Sequence, residues 1–537
     1  MIKGFRQIAL LTALSRVFGL LRDIAYGHFF GAGGLLDAWI IAFRIPNLSR
    51  RLFGEGAASA SFIPVYSEEI YNDRENAAKL LNTVVTVLFV ILASLVLFGE
   101  LCIWFYYKLF SRSAETELIL SLSSIMLPYM LFVCMVAMLA GILNVHKHFA
   151  MPAAAPIVLN IFIIGTIIVT GWFLKIDNRE QLFYVAVAVL IAGVMQIAIQ
   201  IKPLWKSGIA IRPAWHVHSE AFKRILLLMG PMIIGLTVTQ MNTLADDLIA
   251  WWFSGSDEKG RFFELFGAQI KYPMWRGSVS HLYYAQRLYQ LPLGVLGISL
   301  ATAIFPVMSA DAARKDFVSL RKSISKGIRG TVFVALPATV GLILVARPLI
   351  SAAFQHGRFT DSDTNMVIQT LTFYSLGLCG YCAQQILARA FYSMKDSKTP
   401  VKSALIAVFA NVFLNLTLIW FLGRGGLAVA TAICAYLQVV ILILALRKKL
   451  GHSILEGFFN TLIKTLIATV LMLLAGIIII TLMKDLPESR LFNISRLLLV
   501  VPSAAVIYAL CAKLLRNEML SLFTGKKIPK KRMIIHD

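Results

Sequence analysis

SRVFGLLRDIAYGHFF (15–30) and GLLDAWIIAFRIP (34–46) are the first two helix-length apolar stretches of the chain. The charged residues that interrupt them are Arg16, Arg22, Asp23, Asp37 and Arg44. A charged side chain at the centre of a bilayer costs about 2.5–3.5 kcal/mol on insertion scales, so such residues normally face a bundle interior or a water-filled cavity. The pattern predicts a membrane transporter whose cavity attracts anions.

The composition indicates a membrane protein along the whole chain. Of the 537 residues, 58% are hydrophobic and only 15% are charged, which excludes an ordinary soluble domain. Apolar runs recur along the full length, and we count fourteen that are long enough for the ~30 Å hydrocarbon core. Such long runs are typical of helices rather than of a barrel. The predicted fold class is therefore an all-α polytopic membrane protein with 14 transmembrane helices.

The distribution of basic residues predicts the orientation in the membrane. With the N-terminus inside, the inner loops and tail hold 31 Lys and Arg residues and the outer loops hold 13. The positive-inside rule then places both termini in the cytoplasm. Much of the net charge of +23 lies in these inner loops and in the tail GKKIPKKR (525–532). Anionic membrane lipids, and not nucleic acid, are thus the expected partners.

An internal repeat predicts two similar halves. The motif FIPVYS (62–67) recurs as IFPVMS (304–309), and residues 140–152 align with 388–400. In the second alignment Lys147 falls on Lys395. Two six-helix lobes of parallel topology fit this pattern.

The repeat divides the chain into three parts. We predict an N-terminal lobe over 1–220 with helices 1–6, a C-terminal lobe over 221–450 with helices 7–12, and helices 13–14 with a basic cytoplasmic tail over 451–537. An outer loop at 254–280 is an insertion in the second half, and a flexible excursion is favoured there over a short interfacial helix. Helices 13–14 either pad the bundle or extend a groove for a lipid tail, and the sequence leaves both alternatives open.

Arginine in the first span is informative about the substrate. Its planar fork grips a phosphate or carboxylate bidentately and stays charged at any working pH, so an anionic, phosphorylated substrate is the hypothesis. Two arrangements are open: Arg16 and Arg22 both reach one wide cavity, or Arg16 pairs with Asp23 while Arg22 stays available. The competing interpretation is that these arginines and aspartates neutralise one another as packing ion pairs. In the second span, Pro46 is expected to kink the helix.

Three histidines are interpreted as surface residues. His146, His148 and His281 are expected to lie in solvent rather than to bind a metal.

The chain has no G-x-x-x-x-G-K-[ST] loop for ATP, so an ion gradient or the membrane potential is left as the energy source, and no cofactor is expected.

Several long motifs resemble one known family. They are SRVFGLLRD (15–23), FGAGGLLDAWIIAFRIPNLSRRLFGEGAASASFIPVYSE (30–68), QMNTLADDLIA (240–250) and YYAQRLYQLPLGVLGISLATAIFPVMS (283–309). They are similar to the MurJ (MviN) family of lipid II flippases, within the multidrug/oligosaccharidyl-lipid/polysaccharide exporter superfamily. The resemblance implies a V-shaped cavity between two lobes and alternating access. It also implies a transporter, not an enzyme, that moves undecaprenyl-pyrophosphate-linked disaccharide pentapeptide from the inner to the outer leaflet of the bacterial cytoplasmic (inner) membrane, with the cell-wall synthesis machinery as a candidate partner.

The resemblance also implies site residues. The family's cavity residues carry over to Arg16, Arg22, Asp37, Arg50 and Arg287. Arg51 is instead expected to form a helical ion pair with Glu55, four residues on.

Some family members are similar to cation-coupled transporters. Their ion site would correspond here to Asp246, Asn411, Asn415 and Thr431. Asn415 stands where that pattern has a carboxylate, which lowers the charge of the site and puts sodium coupling in doubt. Two energy sources therefore stay open: coupling to a monovalent ion, or the membrane potential alone.

Other functions fit the sequence less well than lipid II export. A flippase for another polyprenyl-linked glycan is the nearest rival. A cation-coupled drug exporter of the same superfamily would share the repeat, but an arginine-rich cavity repels organic cations. A membrane glycosyltransferase would need an acidic catalytic constellation, which we do not find in the sequence.

Overall fold

A computed structural model describes residues 2–54, 57–111 and 113–521, and this part of the chain is mostly helical. It forms two compact units. Unit 1 contains the described residues up to Ser280 together with His356–Phe359. Unit 2 contains His281–Gln355 and the described residues from Thr360 onward. The predicted lobes at 1–220 and 221–450 come from the sequence repeat and stay a prediction.

The helices of unit 1 follow one another along the chain. They are α1 (Ile2–Phe30), α2 (Gly34–Ser49), α3 (Ala57–Asn72), α4 (Arg74–Leu109), α5 (Ala114–Met126), α6 (Tyr129–Val145), α7 (Ala150–Ile168), α8 (Asn178–Lys206) and α9 (Glu220–Trp252). Four short strands come after α9, namely β1 (Ser254–Gly255), β2 (Phe262–Leu265), β3 (Ala268–Lys271) and β4 (Met274–Trp275).

The remaining helices build unit 2, apart from the first three residues of α10. They are α10 (Ser278–Pro292), α11 (Ser299–Ala313), α12 (Phe317–Leu344), α13 (Ala346–Phe354), α14 (Asp361–Leu376), α15 (Leu378–Ser393), α16 (Lys398–Leu422), α17 (Arg424–Leu450), α18 (Phe458–Leu482) and α19 (Arg490–Leu514). Fully buried aliphatic and aromatic side chains of α11, α12, α15 and α17 form one core of this unit, including Met308, Ile324, Phe391 and Leu446.

The described residues contain ten helical segments long and apolar enough to cross a membrane, or eleven if the bent pair α5 and α6 is one span. These two helices meet at 41°. The predicted class of an all-α polytopic membrane protein is confirmed at this level, while the number of fourteen helices stays a prediction.

Prolines and π-helical turns mark corresponding places in the repeat. Pro46 lies inside α2, and a π-helical turn, Arg50–Gly54, follows directly after that helix. Pro292 ends α10, and another π-helical turn, Leu293–Ile298, comes next. Because proline removes an i→i−4 donor, the helical hydrogen bonding is locally rearranged, and π-turns of this kind are frequent at functional sites.

The aligned segments 140–152 and 388–400 share an unusual backbone. Lys147 and Lys395 both adopt the left-handed conformation, with φ of 62° and 61°. At each place the next amide, of His148 or Asp396, donates to a carbonyl five residues back, as in a Schellman helix ending. The sequence repeat is therefore visible in the backbone here.

Glycine at such a position is expected to stabilise the chain. A residue with a Cβ costs about 1–2 kcal/mol in the left-handed region, and glycine avoids this cost. Part of the resulting gain in stability is offset, because glycine has more conformational freedom in the unfolded chain. We expect Lys395→Gly to raise the free energy of unfolding by about 0.5–1 kcal/mol. Lys395→Ala, which removes the charge but keeps the Cβ, is the control and should bring no gain. The measurement is thermal unfolding in detergent, and an equal gain in both variants would contradict the backbone argument.

The insertion at 254–280 is a small β-structure, so the prediction of a flexible excursion is wrong. Strands β2 and β3 form an antiparallel hairpin closed by Phe266 and Gly267, which have φ of 52° and 80°. Positive φ at both central residues is the geometry of a tight two-residue hairpin turn. Strands β1 and β4 pair in parallel at the base. The sequence signal for a hairpin was weak because the two turn residues are Phe-Gly, whereas Asn-Gly is the dipeptide that normally indicates such a turn.

Candidate functional site

Arg22 is the best-positioned of the predicted anion-binding residues. It lies on α1, where its Nη2 donates to Asp23 Oδ1 at 2.8 Å and its Nη1 donates to Asn160 Oδ1 on α7 at 3.1 Å. Its guanidinium also lies 5.6 Å from the centre of the Tyr26 ring. These contacts hold the fork in one orientation, although 11% of the side chain is still exposed. A pre-oriented guanidinium of this kind suits a phosphate oxygen.

Arg50 lies near the same part of unit 1. It begins the π-helical turn after α2, is half-buried, and donates from Nη2 to Asn47 Oδ1 at 3.1 Å. The hydroxyl of the buried Tyr129 lies within electrostatic reach of both Arg50 and Arg22. Two of the five predicted substrate residues therefore lie within electrostatic reach of one buried side chain of unit 1.

Arg16 and Arg287 are both exposed. Arg16 lies on α1, and the Asp23 carboxylate pairs with Arg22, while the alternative in which Arg16 pairs with Asp23 stays a prediction. Arg287 belongs to α10 in unit 2, where Nη2 donates to the Tyr283 hydroxyl at 3.2 Å and the guanidinium covers the Tyr283 ring. Both retain exposed charge that an anion can reach.

Asp37 has a structural role in this conformation. The side chain is fully buried, and Oδ2 accepts the Gly277 amide at 2.7 Å. Oδ1 accepts the amide and the hydroxyl of Ser280, at 2.7 and 2.6 Å. The carboxylate therefore fastens the segment that leads into α10 to the start of α2. A contact with substrate would require these bonds to break, so that role stays a prediction.

Arg44 forms an ion pair with Asp247, which the sequence had not singled out. The pair joins α2 to α9, and the two side chains are 17% and 2% exposed. The competing interpretation, packing ion pairs, thus applies to Arg44. Sequence reasoning missed Asp247 because the family pattern directed attention to its neighbour Asp246.

Other basic residues are explained by local packing. Arg51 donates to Gln240 Oε1 on α9 at 3.2 Å, and its predicted partner Glu55 lies outside the described residues, as does the tail at 525–532. Arg496 donates from Nη2 to the carbonyls of Met483 and Leu486, just beyond the end of α18. Arg496 therefore caps a helix ending.

Three of the predicted cation residues, Asn411, Asn415 and Thr431, lie together in unit 2. In unit 2, Asn411 donates to Thr431 Oγ1 at 3.3 Å, and Asn415 donates to Asn411 Oδ1 at 2.8 Å. Asp246 is buried on α9 in unit 1. Within residues 2–54, 57–111 and 113–521, no group of three or more His, Cys, Asp or Glu side chains could hold a metal ion. The cation site stays a prediction.

The sequence did not indicate the polar contact of Asn160, and its prediction for His281 differs from the structure. Asn160 contacts Arg22, and the signal that could have found it is its isolation in the apolar helix α7. His281 was expected in solvent, but it is 2% exposed and lies 3.0 Å from Asp363 through Nε2, so that prediction is wrong.

A cavity of about 340 Å³ lies in unit 1 beside α2, α5 and strand β4. Its lining includes Trp251, Glu115 and Arg276, and Arg276 donates to Glu115 Oε2 at 2.6 Å while stacking on Trp251. Lys259 lies over the same indole ring, with Nζ 4.3 Å from its centre. Burial, reinforced by the positive charge of Arg276, lowers the pKa of Lys259 to about 8.

This lowered pKa predicts an unusually reactive amine. Only the neutral amine is acylated, so labelling of Lys259 should reach half its maximal rate near pH 8 in the folded chain. In the unfolded chain the midpoint should move to the ordinary lysine range of about 10.4. Mass spectrometry of the 254–277 peptide after brief acylation across pH measures this. Coinciding profiles for folded and unfolded protein would contradict the burial argument.

Solved structures of the same fold are membrane transporters. The chain is similar to an inward-facing multidrug resistance MATE family transporter of the MOP superfamily, with a TM-score of 0.64 over 81% of this chain and 94% of that one, at 13% identity. This likeness concerns the fold alone. Similarity is higher to a structure of lipid II flippase MurJ in an inward closed conformation, with a TM-score of 0.75, 25% identity, and 95% and 99% of the two chains covered. The fold and its charged interior define a polytopic membrane transporter.

Sequence comparison gives the family. The family model described as lipid II flippase MurJ matches residues 26–496. The chain is 33% identical over 484 residues to a probable lipid II flippase MurJ of Vibrio cholerae, covering 87% of this chain and 86% of the relative. It is 31% identical over 448 residues to the lipid II flippase MurJ of Burkholderia cenocepacia, covering 82% of each. The chain belongs to the lipid II flippase MurJ family.

Proposed function

We propose that this chain is a lipid II flippase. It moves undecaprenyl-pyrophosphate-linked disaccharide pentapeptide from the inner to the outer leaflet of the bacterial cytoplasmic membrane by alternating access. The observation that supports the proposal is the family match over 26–496, together with the positions of Arg22 and Arg50 within electrostatic reach of Tyr129 in unit 1.

The chemistry of these side chains suits a pyrophosphate. Each guanidinium can donate two parallel hydrogen bonds to a phosphate, and a partly dry environment strengthens them. Arg22 is already oriented by Asp23 and Asn160, so little side-chain freedom is lost on binding. Arg16 and Arg287 add positive charge that attracts the anion. Asp37 supports this set by holding the segment before α10.

The membrane arrangement is part of the proposal. Fourteen helices form two six-helix lobes and a final pair, with both termini in the cytoplasm. Moving negative charge out of a negative interior gains about 2.3 kcal/mol per unit charge per 100 mV, so the membrane potential assists export. Coupling to a monovalent ion through Asp246, Asn411, Asn415 and Thr431 is the alternative source of energy. Anionic lipids and the cell-wall synthesis machinery are the proposed partners.

A depletion experiment tests the proposal. The chain is expressed in a bacterium that can be depleted of its own lipid II flippase, and the lipid II reaching the outer leaflet is measured at matched membrane levels. We expect the chain to restore it. If the folded chain leaves lipid II in the inner leaflet, the proposal fails, and a flippase for another polyprenyl-linked glycan becomes the leading alternative.

A further inference from the structure

His281 is a buried histidine that is not among the proposed substrate residues. It is the fourth residue of α10, in unit 2, and only 2% of it is exposed. Its Nε2 lies 3.0 Å from Asp363 Oδ1 on α14. Its Nδ1 is buried and has no hydrogen-bond partner among the residues that the structure describes. A buried ring nitrogen without a partner is costly and calls for an explanation.

Asp363 is held in place as an acceptor. Its Oδ2 accepts the amide and the hydroxyl of Thr360 at 2.9 and 2.8 Å, and its own amide donates to Thr360 Oγ1 at 3.2 Å. This reciprocal capping box fixes the first turn of α14. Because an ionised carboxylate only accepts, the neutral His281 ring carries its proton on Nε2, and the lone pair is on Nδ1.

Arg424 completes a charged cluster at the start of α17. It is largely buried, its Nε has no hydrogen-bond partner within the described residues, and it interacts electrostatically with both His281 and Asp363. The nearby Asp361 of α14 is paired with Arg347 of α13. Asp363 and Arg424 thus balance each other while His281 is neutral. A proton on His281 adds a positive charge that no other group in the cluster offsets.

We propose that His281, Asp363 and Arg424 form a proton-binding site that controls how α10 packs on α14. A proton from solution binds the Nδ1 lone pair and turns the imidazole into an imidazolium, while Nε2 keeps its bond to Asp363. The new Nδ1–H finds no acceptor in this conformation, and Arg424 repels the added charge. Proton loading therefore favours a conformation in which Nδ1 gains an acceptor or water.

The position of the site on α10 links it to transport. Arg287, a proposed substrate residue, lies on the same helix, about one and two-thirds turns beyond His281. The next polar contact between α10 and α14 is Gln286 Nε2 to the Tyr374 hydroxyl at 3.1 Å, and the Tyr289 and Tyr374 rings lie 5.0 Å apart. Loosening the first turn of α10 shifts the helix that carries Arg287. This consequence for transport rests on the proposed function, whereas proton binding itself does not.

Hydrogen exchange tests the site without any substrate. The full chain in lipid nanodiscs is compared at pH 7.5 and pH 5.5, and exchange in the peptide over 281–292 is corrected for the intrinsic pH dependence. We expect this peptide to exchange at least tenfold faster at pH 5.5 in the wild type. His281→Gln, whose amide can still donate to Asp363 but does not titrate, should remove the difference. His148→Gln, at an exposed histidine between α6 and α7, is the matched control and should keep it.

A second variant keeps the test decisive if His281→Gln does not fold. Arg424→Gln removes the neighbouring positive charge, so the midpoint of the pH response should rise by about one pH unit, while Arg424→Lys should leave it in place. A wild type with no pH response, or a response that survives His281→Gln, would overturn the proposal. A lipid II export assay of the same variants is a separate readout. Absence of export in the wild type would contradict the proposed function, and the exchange result would still decide on the proton site.

Discussion

Replacing Arg22 with glutamine is expected to lower lipid II export by at least tenfold at matched membrane levels. The guanidinium is oriented by Asp23 and Asn160, and 11% of the Arg22 side chain is exposed, so that a pyrophosphate can reach it. A hydrogen bond to a charged group contributes about 1.5–3 kcal/mol, which corresponds to a loss of roughly 10- to 150-fold. The measurement is the initial rate at which lipid II appears in the outer leaflet of depleted cells.

The single substitution alone does not separate substrate binding from packing. Without Arg22 the Asp23 carboxylate, whose side chain is 5% exposed, loses its cationic partner, and misfolding would also stop export. The double variant Arg22→Gln/Asp23→Asn removes both charges and should recover most of the lost thermal stability. We expect it to fold and still fail to export.

The outcome that contradicts a substrate role is equally clear. If the neutral double variant exports lipid II at the wild-type rate, Arg22 serves only to neutralise Asp23. Asn160→Ala is a useful control, because it removes one orienting bond but leaves the charge. We expect it to weaken export less than Arg22→Gln does.

The sequence predicts which charges are buried more reliably than it predicts their partners. Arg22, Asp37 and Arg44 stood out because apolar spans surround them, and all three are at least half-buried. Their partners come from residues more than a hundred positions away, such as Asn160 and Asp247. Helical spacing gives only contacts within one helix, whereas these contacts depend on which helices pack together.

Comparing the two halves of the repeat aligned positions that share a backbone conformation. Aligning Lys147 with Lys395 identified two equivalent helix endings, and both have the same left-handed backbone. The hairpin at 262–271 lies in an insertion with no counterpart in the other half, so no such comparison was available for it. His281 was misjudged for a different reason: its burial depends on Asp363 and Arg424, which two other helices bring to the start of α10.

Removing one partner of the buried ion pair between Arg44 and Asp247 is expected to destabilise unit 1 strongly. Arg44→Met leaves the Asp247 carboxylate, which is 2% exposed, without its partner. Removing one member of a buried pair typically costs about 3–5 kcal/mol, because an uncompensated charge stays away from water. Thermal unfolding in detergent should show this loss. The exposed pair of Arg224 and Glu68 is the matched control, and Arg224→Met should cost about 1 kcal/mol or less.

The double variant Arg44→Met/Asp247→Leu decides what the pair contributes. Taking two charges out of water is expensive, and their mutual attraction offsets much of that cost only when the geometry is favourable. If desolvation dominates, the apolar pair should be at least as stable as the wild type, although Arg44→Met alone is not. If the double variant is as unstable as the single one, the ion pair contributes net stability of its own. We expect the apolar double variant to be stable, so that α2 and α9 hold together without the charges. Any loss of export in that variant must then come from the missing charges rather than from unfolding.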